Sequence, residues 1–398
     1  MDRAKILATR IYCRVIRVLN LSADYPDAID PSKTRAIAEL VEGTADTFRH
    51  VVYSLDRSAG VRGWTRPGAV TIVSEELGVR TCRYEAPSHG IFLKRAMSAV
   101  ADQIINDVRR RGENFDLVHG HKLTIEGLVA RRVAASMKIP FLITVQGNTD
   151  QKLLCARPDL VPDWRHCWQD AAACISFSPW ASDWVTARLG KPTKQAHNLP
   201  CVLASDSIIA PTMSPPLIRT AFNLDQWHNK NFDHLVAAVA EVRKEIGELA
   251  FEIAGSGTSK SQAMIDRILE RRGIADMSRR DGWVPPAEIQ KWMNGAALFA
   301  LVSRRETFGM VFIEALLAGC PVIHPRHAAI YGYFPGASFA KAITAADVHE
   351  LRAALIEGIY HQSSIKRDLS QWQAVGGGEP FRREAILAKY RAILEQAA

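Results

Sequence analysis

The sequence predicts an α/β protein made of two doubly wound domains in tandem, and three observations predict it. Strand-like and helix-like patterns alternate along most of the chain, which favours parallel sheets covered by helices on both faces. At 398 residues the chain has the length of two ordinary domains. Near its middle, residues 205–216 (SDSIIAPTMSPP) form a Ser/Pro-rich break. The expected division is 1–208, 209–378 and a helical tail, 379–398, that packs back on the first domain.

In order, residues 15–22 (VIRVLNLS) read as a first strand that ends in the turn Asp24-Tyr-Pro-Asp, with an amphipathic helix starting near Ser32. Residues 48–55 and 69–74 read as strands. Residues 91–111 form a long helix with Ala96, Val100, Ile104 and Val108 on one face. Residues 116–120 and 140–145 are short apolar runs of the buried-strand type, separated by a helix over 127–137, and 174–178 is a third such run. After the break, strands are expected at 216–222, 250–254, 280–283 and 297–302, with helices at 231–246, 260–272, 286–295 and 310–317. The last of these helices stops at Gly319 with Pro321 just beyond, a strong C-terminal signal.

Composition narrows the class. A hydrophobic share of 47% and a charged share of 23% exclude wholesale disorder. The longest clean apolar run, about 296–302, falls far short of the ~18 residues a membrane-spanning helix needs. Arg3, Lys5, Arg10, Arg14 and Arg17 interrupt any apolar core of a secretory signal, and seven cysteines without a C-x-x-C pair argue against a disulfide framework or thiolate zinc site. A cytoplasmic protein is expected. The net charge of 50 − 42 = +8 is spread over short basic clusters that are either solvated helix faces or sites for an anionic partner. Residues 1–17 suit either a basic amphipathic helix at a membrane's inner face or an extra packed helix. No nucleic-acid-binding pattern is present.

The chemistry concentrates in Ser303-Arg-Arg-Glu306-Thr-Phe308-Gly309-Met310-Val311-Phe-Ile-Glu314. The strand at 297–302 delivers its carboxyl end into a loop carrying Glu306. Gly309 permits close backbone approach and opens a helix whose free N–H groups and dipole suit a diphosphate. Glu314, one turn in, is placed to accept from sugar hydroxyls. On spacing alone the same residues also suit a capped core helix with two surface glutamates.

The segment Glu306-x7-Glu314, with Phe308-Gly309 inside it and Ala318-Gly319-Cys320-Pro321-Val322 after it, closely resembles the signature of retaining glycosyltransferases of family 4. Upstream, Lys230-Asn-Phe-Asp-x-Leu resembles the family's donor-phosphate lysine segment, Phe251-Glu-Ile-Ala-Gly-Ser-Gly257 its glycine turn, and Asp281-Gly-Trp-Val284-Pro its nucleobase-facing loop. Asp116-Leu-Val-His119-Gly-His121 and Pro140-Phe-Leu-Ile-Thr-Val-Gln146-Gly fall where family strands belong. The resemblance implies the GT-B fold, two Rossmann-like domains facing across a cleft. It also implies transfer of a sugar, with retention, from a nucleotide-diphosphate donor to a saccharide or lipid-linked saccharide, as in surface polysaccharide or glycolipid synthesis.

Carried over residue by residue, Glu306 contacts the transferred sugar and Lys230 neutralises the leaving diphosphate. Phe308, Gly309, Met310 and Val311 hold sugar and phosphate, and Glu314 holds the ribose. Gly255, Ser256 and Val284 complete the donor site, with Gln146, His119 and His121 as acceptor or cleft candidates. No metal or other cofactor is expected, since no Asp-x-Asp occurs and His324 and His327 lack a third ligand nearby. The chain departs from the family pattern in three places. Asn223-Leu-Asp-Gln-Trp-His-Asn-Lys230 has no arginine before the lysine, the nearest being Arg219. Gln146 replaces a histidine. The first loop offers Asp30-Pro-Ser-Lys33-Thr34 in place of a glycine pair. These departures keep open a non-catalytic nucleotide-sugar-binding protein, or a same-fold epimerase or phosphorylase. Trp164/Trp168 and Trp180/Trp184, each four apart, read as core packing before a sugar-stacking platform. The absence of G-x-G-x-x-G argues against a dehydrogenase.

Overall fold

The computed structural model describes residues 15–398; the basic segment 1–14, the bulk of the expected amphipathic helix, lies outside them. Residues 17–22 of that N-terminal region are a strand. The first sheet collects β1 (Arg17–Ser22), β2 (Arg49–Ser58), β3 (Val70–Glu76), β4 (Val79–Glu85), β5 (Leu117–Gly120), β6 (Phe141–Val145), β7 (Ala173–Ser176) and β8 (Gln195–Asn198). Its order is β3-β4-β2-β1-β5-β6-β7-β8, parallel except for β3, which runs antiparallel to β4. Around it lie α1 (Ala36–Glu42), α2 (Val61–Thr65), α3 (Leu93–Arg110), α4 (Glu126–Met137), α5 (Asn148–Ala156), α6 (Val161–Asp170) and α7 (Pro179–Leu189).

The second sheet is wholly parallel, with order β11-β10-β9-β12-β13-β14. Its elements are β9 (Leu217–Ala221), α8 (Phe232–Ile246), β10 (Ala250–Ala254), α9 (Ser259–Arg271), β11 (Ser278–Gly282), α10 (Pro286–Asn294), β12 (Leu298–Ala300), α11 (Met310–Leu317), β13 (Val322–Pro325), β14 (Ala340–Ile343), α12 (Val348–Tyr360) and α13 (Gln362–Ala374). The chain closes with α14 (Arg383–Ala397), which lies against the first sheet: the Tyr390 hydroxyl is 2.9 Å from His119 Nδ1, and Lys389 Nζ donates to the Asn198 carbonyl at 2.7 Å. Ile386, Leu387, Tyr390 and Leu394 share one apolar cluster with Val18 and Leu142 of the first sheet and with Phe299 and Leu316 of the second domain.

Differences from the sequence expectation have local causes. The first helix begins at Ala36, not near Ser32, because side chains compete for the preceding backbone. Asp27 accepts from the amides of Ile29 and Asp30, Asp30 accepts from Ser32, and Lys33 pairs with Asp27 at 2.7 Å and Asp56 at 2.9 Å. The hairpin β3–β4 adds an antiparallel edge to a sheet expected to be parallel. The tail 379–398 is a short 3₁₀ turn at Glu379–Phe381 followed by α14. Trp164 and Trp168 are fully buried on α6, as core packing requires.

Candidate active site

The carboxyl ends of both sheets face a cleft of about 890 Å³. On the second domain's side, β9 ends at Ala221 and enters a turn in which Asn223 Oδ1 accepts the amide of Asp225 at 2.9 Å. The turn ends on Lys230. On the neighbouring strand, β12 leads into the loop carrying Glu306. The two loops are stitched together by Arg304 N to Asn229 O at 2.7 Å and Asn229 Nδ2 to Arg305 O at 3.2 Å. This brings Lys230 Nζ to 2.6 Å from Glu306 Oε2, and Ser303 Oγ also donates to that oxygen at 3.2 Å. A cation and an anion 76 residues apart thus meet at a cleft wall, about one-fifth exposed.

Gly309 follows with φ of +72°, and a Cβ there would sit 2.6 Å from the Phe312 ring and 3.1 Å from Glu306 Cγ. Only glycine takes this left-handed step cheaply, and the step aims the first amides of α11 into the cleft. Gly309, Met310, Val311 and Glu314 all line it, while Phe308 is buried behind the loop, edge-on to Tyr333. Burial pushes the Glu314 carboxyl up to about 7, although the amides of Ala204 and Ser205 donate to it and partly offset that rise. The segment at Ala204–Ser205 therefore meets this carboxyl at the cleft wall.

From the first domain the cleft is lined by Thr34, Arg35, Ala36 and Glu39, and the tail contributes Arg383. Glu39 takes Arg35 at 3.0 Å and Arg383 at 2.6 Å. Neither arginine stood out in sequence, because Arg383 reaches the site only through the return of α14. Asn148, first residue of α5, crosses to the Glu306 loop. With its amide oriented to satisfy both partners, its oxygen accepts from the amides of Glu306 and Thr307 at 3.2 and 3.3 Å. Nearby, Trp180 Nε1 donates to Ala329 O at 3.0 Å, so the domains are also tied at this end.

Other sequence candidates lie elsewhere. His119 and His121 are fully buried, their ring centroids 3.9 Å apart, with His121 also set against Asn20 Oδ1 at 3.1 Å. His119 bonds Thr144 Oγ1 at 2.8 Å as well as Tyr390, and burial, aided by the nearby His50, pushes it down to about 3. They are neutral core groups and not cleft residues, a correction to the sequence expectation. Gln146 is tied by Nε2 to the His121 carbonyl at 2.8 Å and is outside the cleft lining. Gly255, Ser256 and Val284 do not line that cavity directly, but Gly255 and Ser256 pack on the turn that carries the cleft residues Phe222 and Asn223, the Leu224 amide donating to the Ser256 carbonyl at 2.9 Å. Gly255 has φ of +141°, and a Cβ there would come within 1.9 Å of the Phe222 carbonyl oxygen, so that glycine serves a chain crossing. Arg219 does not substitute for the missing arginine: it is paired with Glu252 at 2.6 Å and lies over the Trp292 ring. Among the described residues, no group of three or more His, Cys, Asp or Glu side chains is placed to hold a metal ion.

Residues 216–358 match the family described as Glycosyl transferases group 1, so that family likeness rests on the second domain. The chain is 31% identical over 189 residues to a D-inositol 3-phosphate glycosyltransferase of Segniliparus rotundus. That stretch is 42% of this chain and 38% of the relative's length. Among solved structures, sucrose-phosphate synthase from Thermosynechococcus elongatus superposes with a TM-score of 0.68 at 17% identity, covering 96% of this chain and 98% of that one. Anabaena Alr3699/HepE in complex with UDP does so with a TM-score of 0.66 at 14% identity, covering 96% and 100%. The fold is GT-B: two Rossmann-like domains with a cleft between the carboxyl ends of their strands.

Proposed function

We propose that this protein is a retaining, metal-independent glycosyltransferase that moves a sugar from a nucleotide-diphosphate donor to a saccharide or lipid-linked saccharide. The observation that carries the reading is the Lys230–Glu306 pair beside the Gly309 start of α11, inside the interdomain cleft. A diphosphate entering there meets Lys230 and the free amides of α11, which together stabilise the charge that develops as the donor bond breaks. Taking up Lys230 frees Glu306 for the hydroxyls of the transferred sugar. Glu314 accepts from the ribose once the linker amides of Ala204 and Ser205 yield. The activities by which the similar proteins are known, transfer to an inositol phosphate and synthesis of a sugar phosphate, support the same reaction class. The proposed setting is surface polysaccharide or glycolipid synthesis at the cytoplasmic face of a membrane.

A non-catalytic nucleotide-sugar-binding protein is the second reading, favoured by Arg219 being locked on Glu252 and Gln146 on the His121 carbonyl. Thermal unfolding with UDP, GDP, ADP and their sugar conjugates, followed by a transfer assay reading the anomer formed, separates the two. A nucleotide at ~100 times its Kd adds about 2.7 kcal/mol, a shift of several degrees. A shift with sugar transfer supports the enzyme; a shift with no transfer to any acceptor supports the binding protein; no shift with any nucleotide refutes both.

A further inference from the structure

We propose that the edge of the first domain formed by residues 57–66 and 89–95 is a docking surface for an anionic lipid bilayer. It carries the apolar side chains Val61, Trp64, Ile91 and Phe92, each exposed, with Trp64 56% and Phe92 46% open. Their packing is mutual: the Trp64 and Phe92 rings meet edge to face at 6.3 Å. Gly63 turns the inner side of α2 onto the Ala86–Pro87 backbone, where a Cβ would come within 2.9 Å, so Val61 and Trp64 face outward. Phe92 is held in a left-handed conformation, φ +54°, which no apolar residue adopts without cost and which keeps its ring out of the core.

Charge identifies the occupant. Residues 57–69 and 86–101 contain Arg57, Arg62, Arg66, Lys94 and Arg95 and no Asp or Glu. Lys94 is engaged by Asp163 at 2.9 Å, and Arg57 points at the Pro87 carbonyl. Arg62, Arg66 and Arg95 are exposed, and none appears in an ion pair with any described residue. Exposed aromatics ringed by unpaired arginines complement an interface of acyl chains under anionic headgroups, where each arginine gains from the surface potential and each ring from the interfacial zone.

Topology places this surface beside the cleft. Residues 59–69 leave the carboxyl end of β2 and residues 86–92 that of β4. β2 neighbours β1, whose own carboxyl-end loop supplies Thr34 and Arg35 to the cleft, and β4 lies one strand further out. At ~4.8 Å per strand the patch lies on the order of 10 Å from that wall. The loop at Gly90 also packs on Arg157 and Leu153 at the end of α5, whose first residue, Asn148, touches the Glu306 loop. A bilayer on this face would present a lipid-borne acceptor to the same end of the sheet at which the proposed donor site opens. The docking stands on the surface alone and is read without turnover, so its failure is distinct from failure of the transferase reading.

The test is co-sedimentation of the full chain with vesicles of phosphatidylcholine alone and with 30% phosphatidylglycerol, at low and high salt, comparing wild type with Trp64→Ser/Phe92→Ser and Arg62→Ser/Arg66→Ser/Arg95→Ser. These side chains are exposed, and equal melting temperatures would show that the variants fold. The expected result is binding to anionic vesicles only, weakened by salt, with at least about a tenfold loss of partitioning in each variant. Binding of both variants equal to wild type would assign the membrane to residues 1–14 and overturn the proposal. So would absence of wild-type binding, the result expected if the patch serves a protein partner.

Discussion

The two sheets offer the same surface to the cleft, a row of loops at parallel strand ends, yet they treat charge in opposite ways. In the second domain Lys230 and Glu306 face the open cleft and hold each other only until something displaces one of them. In the first domain Arg35 and Glu39 also reach the cleft, but the ionisable groups just past the ends of β1, β5 and β6 are mostly sunk into the structure and tie one loop to another. Asp150, fully buried, accepts from the amides of Thr124 and Gln146 and from the Thr124 hydroxyl at 2.8–3.1 Å. Glu126 accepts from the Ala23 amide at 2.6 Å, and Lys122 pairs with Asp24 at 2.6 Å. Burial pushes Glu126 up to about 7. Similar architecture therefore supports different work: the second domain's loops keep the Lys230–Glu306 pair available for a ligand, while the loops after β1, β5 and β6 use most of their charge to fix loop shape.

The largest effect should come from breaking the buried side of this contrast. Asp150→Ala leaves two buried amides and a hydroxyl without their acceptor and should cost about 3–5 kcal/mol of stability. Denaturant unfolding checks it, and the increment in melting temperature given by a bound nucleotide should survive at a temperature where the variant is folded. A variant as stable as wild type would show that Asp150 does not hold these loops.

Next comes the open side. Glu306→Ala should leave the melting temperature within a degree or two of wild type while lowering kcat roughly 10²–10³-fold. Because Lys230 loses its internal partner, the same change should leave affinity for the free nucleoside diphosphate equal or higher. Steady-state kinetics together with titration calorimetry would show both, and wild-type kcat in this variant would remove Glu306 from the reaction.

The smallest effect concerns Glu314, whose folded-state carboxyl titrates at about 7 against an ordinary 4.5. Raising the pH through 7 ionises it in the folded protein, and the carboxylate accepts more strongly from a sugar hydroxyl than the neutral acid does. Donor affinity should therefore rise severalfold from pH 6 to pH 8 in wild type. Glu314→Gln, neutral throughout, should flatten that profile. The sign for stability is opposite: between about 4.5 and 7 the folded state binds a proton that the unfolded chain has released, so this group favours the fold more as pH falls through 7. A pH profile unchanged by the substitution would assign the titration to another group.

How much was legible in the sequence follows the same divide. The strands 250–254 and 217–221 and the helix 310–317 stand in the sequence almost to the residue, because periodicity, Gly309 and the Gly319/Pro321 stop are local signals. Glu306, Gly309 and Glu314 fall within nine residues, so a single loop and helix turn set their relation. The hairpin β3–β4 was half missed, since Val79–Glu85 alternates imperfectly and gains its place by pairing with β2. His119 and His121 read as available at a strand end, but Tyr390 of α14 and Thr144 close on His119, and Asn20 and the His119 ring close on His121. Arg383 and Glu39, separated by 344 residues, meet through the return of α14.

By itself, then, the sequence determined the two doubly wound α/β layers and the loop that carries Glu306, since each depends on residues close along the chain. The tertiary structure alone decided that Lys230 reaches Glu306, that Arg219 is withdrawn onto Glu252, that the linker amides hold Glu314, and that Trp64 and Phe92 meet on an uncovered edge. Those outcomes depend on which distant segments come to lie within a few ångströms, and on whether a polar or aromatic group finds a partner, water or a neighbour's backbone there. Local pattern carries no record of that choice, because burial and pairing are properties of the assembled sheets and helices.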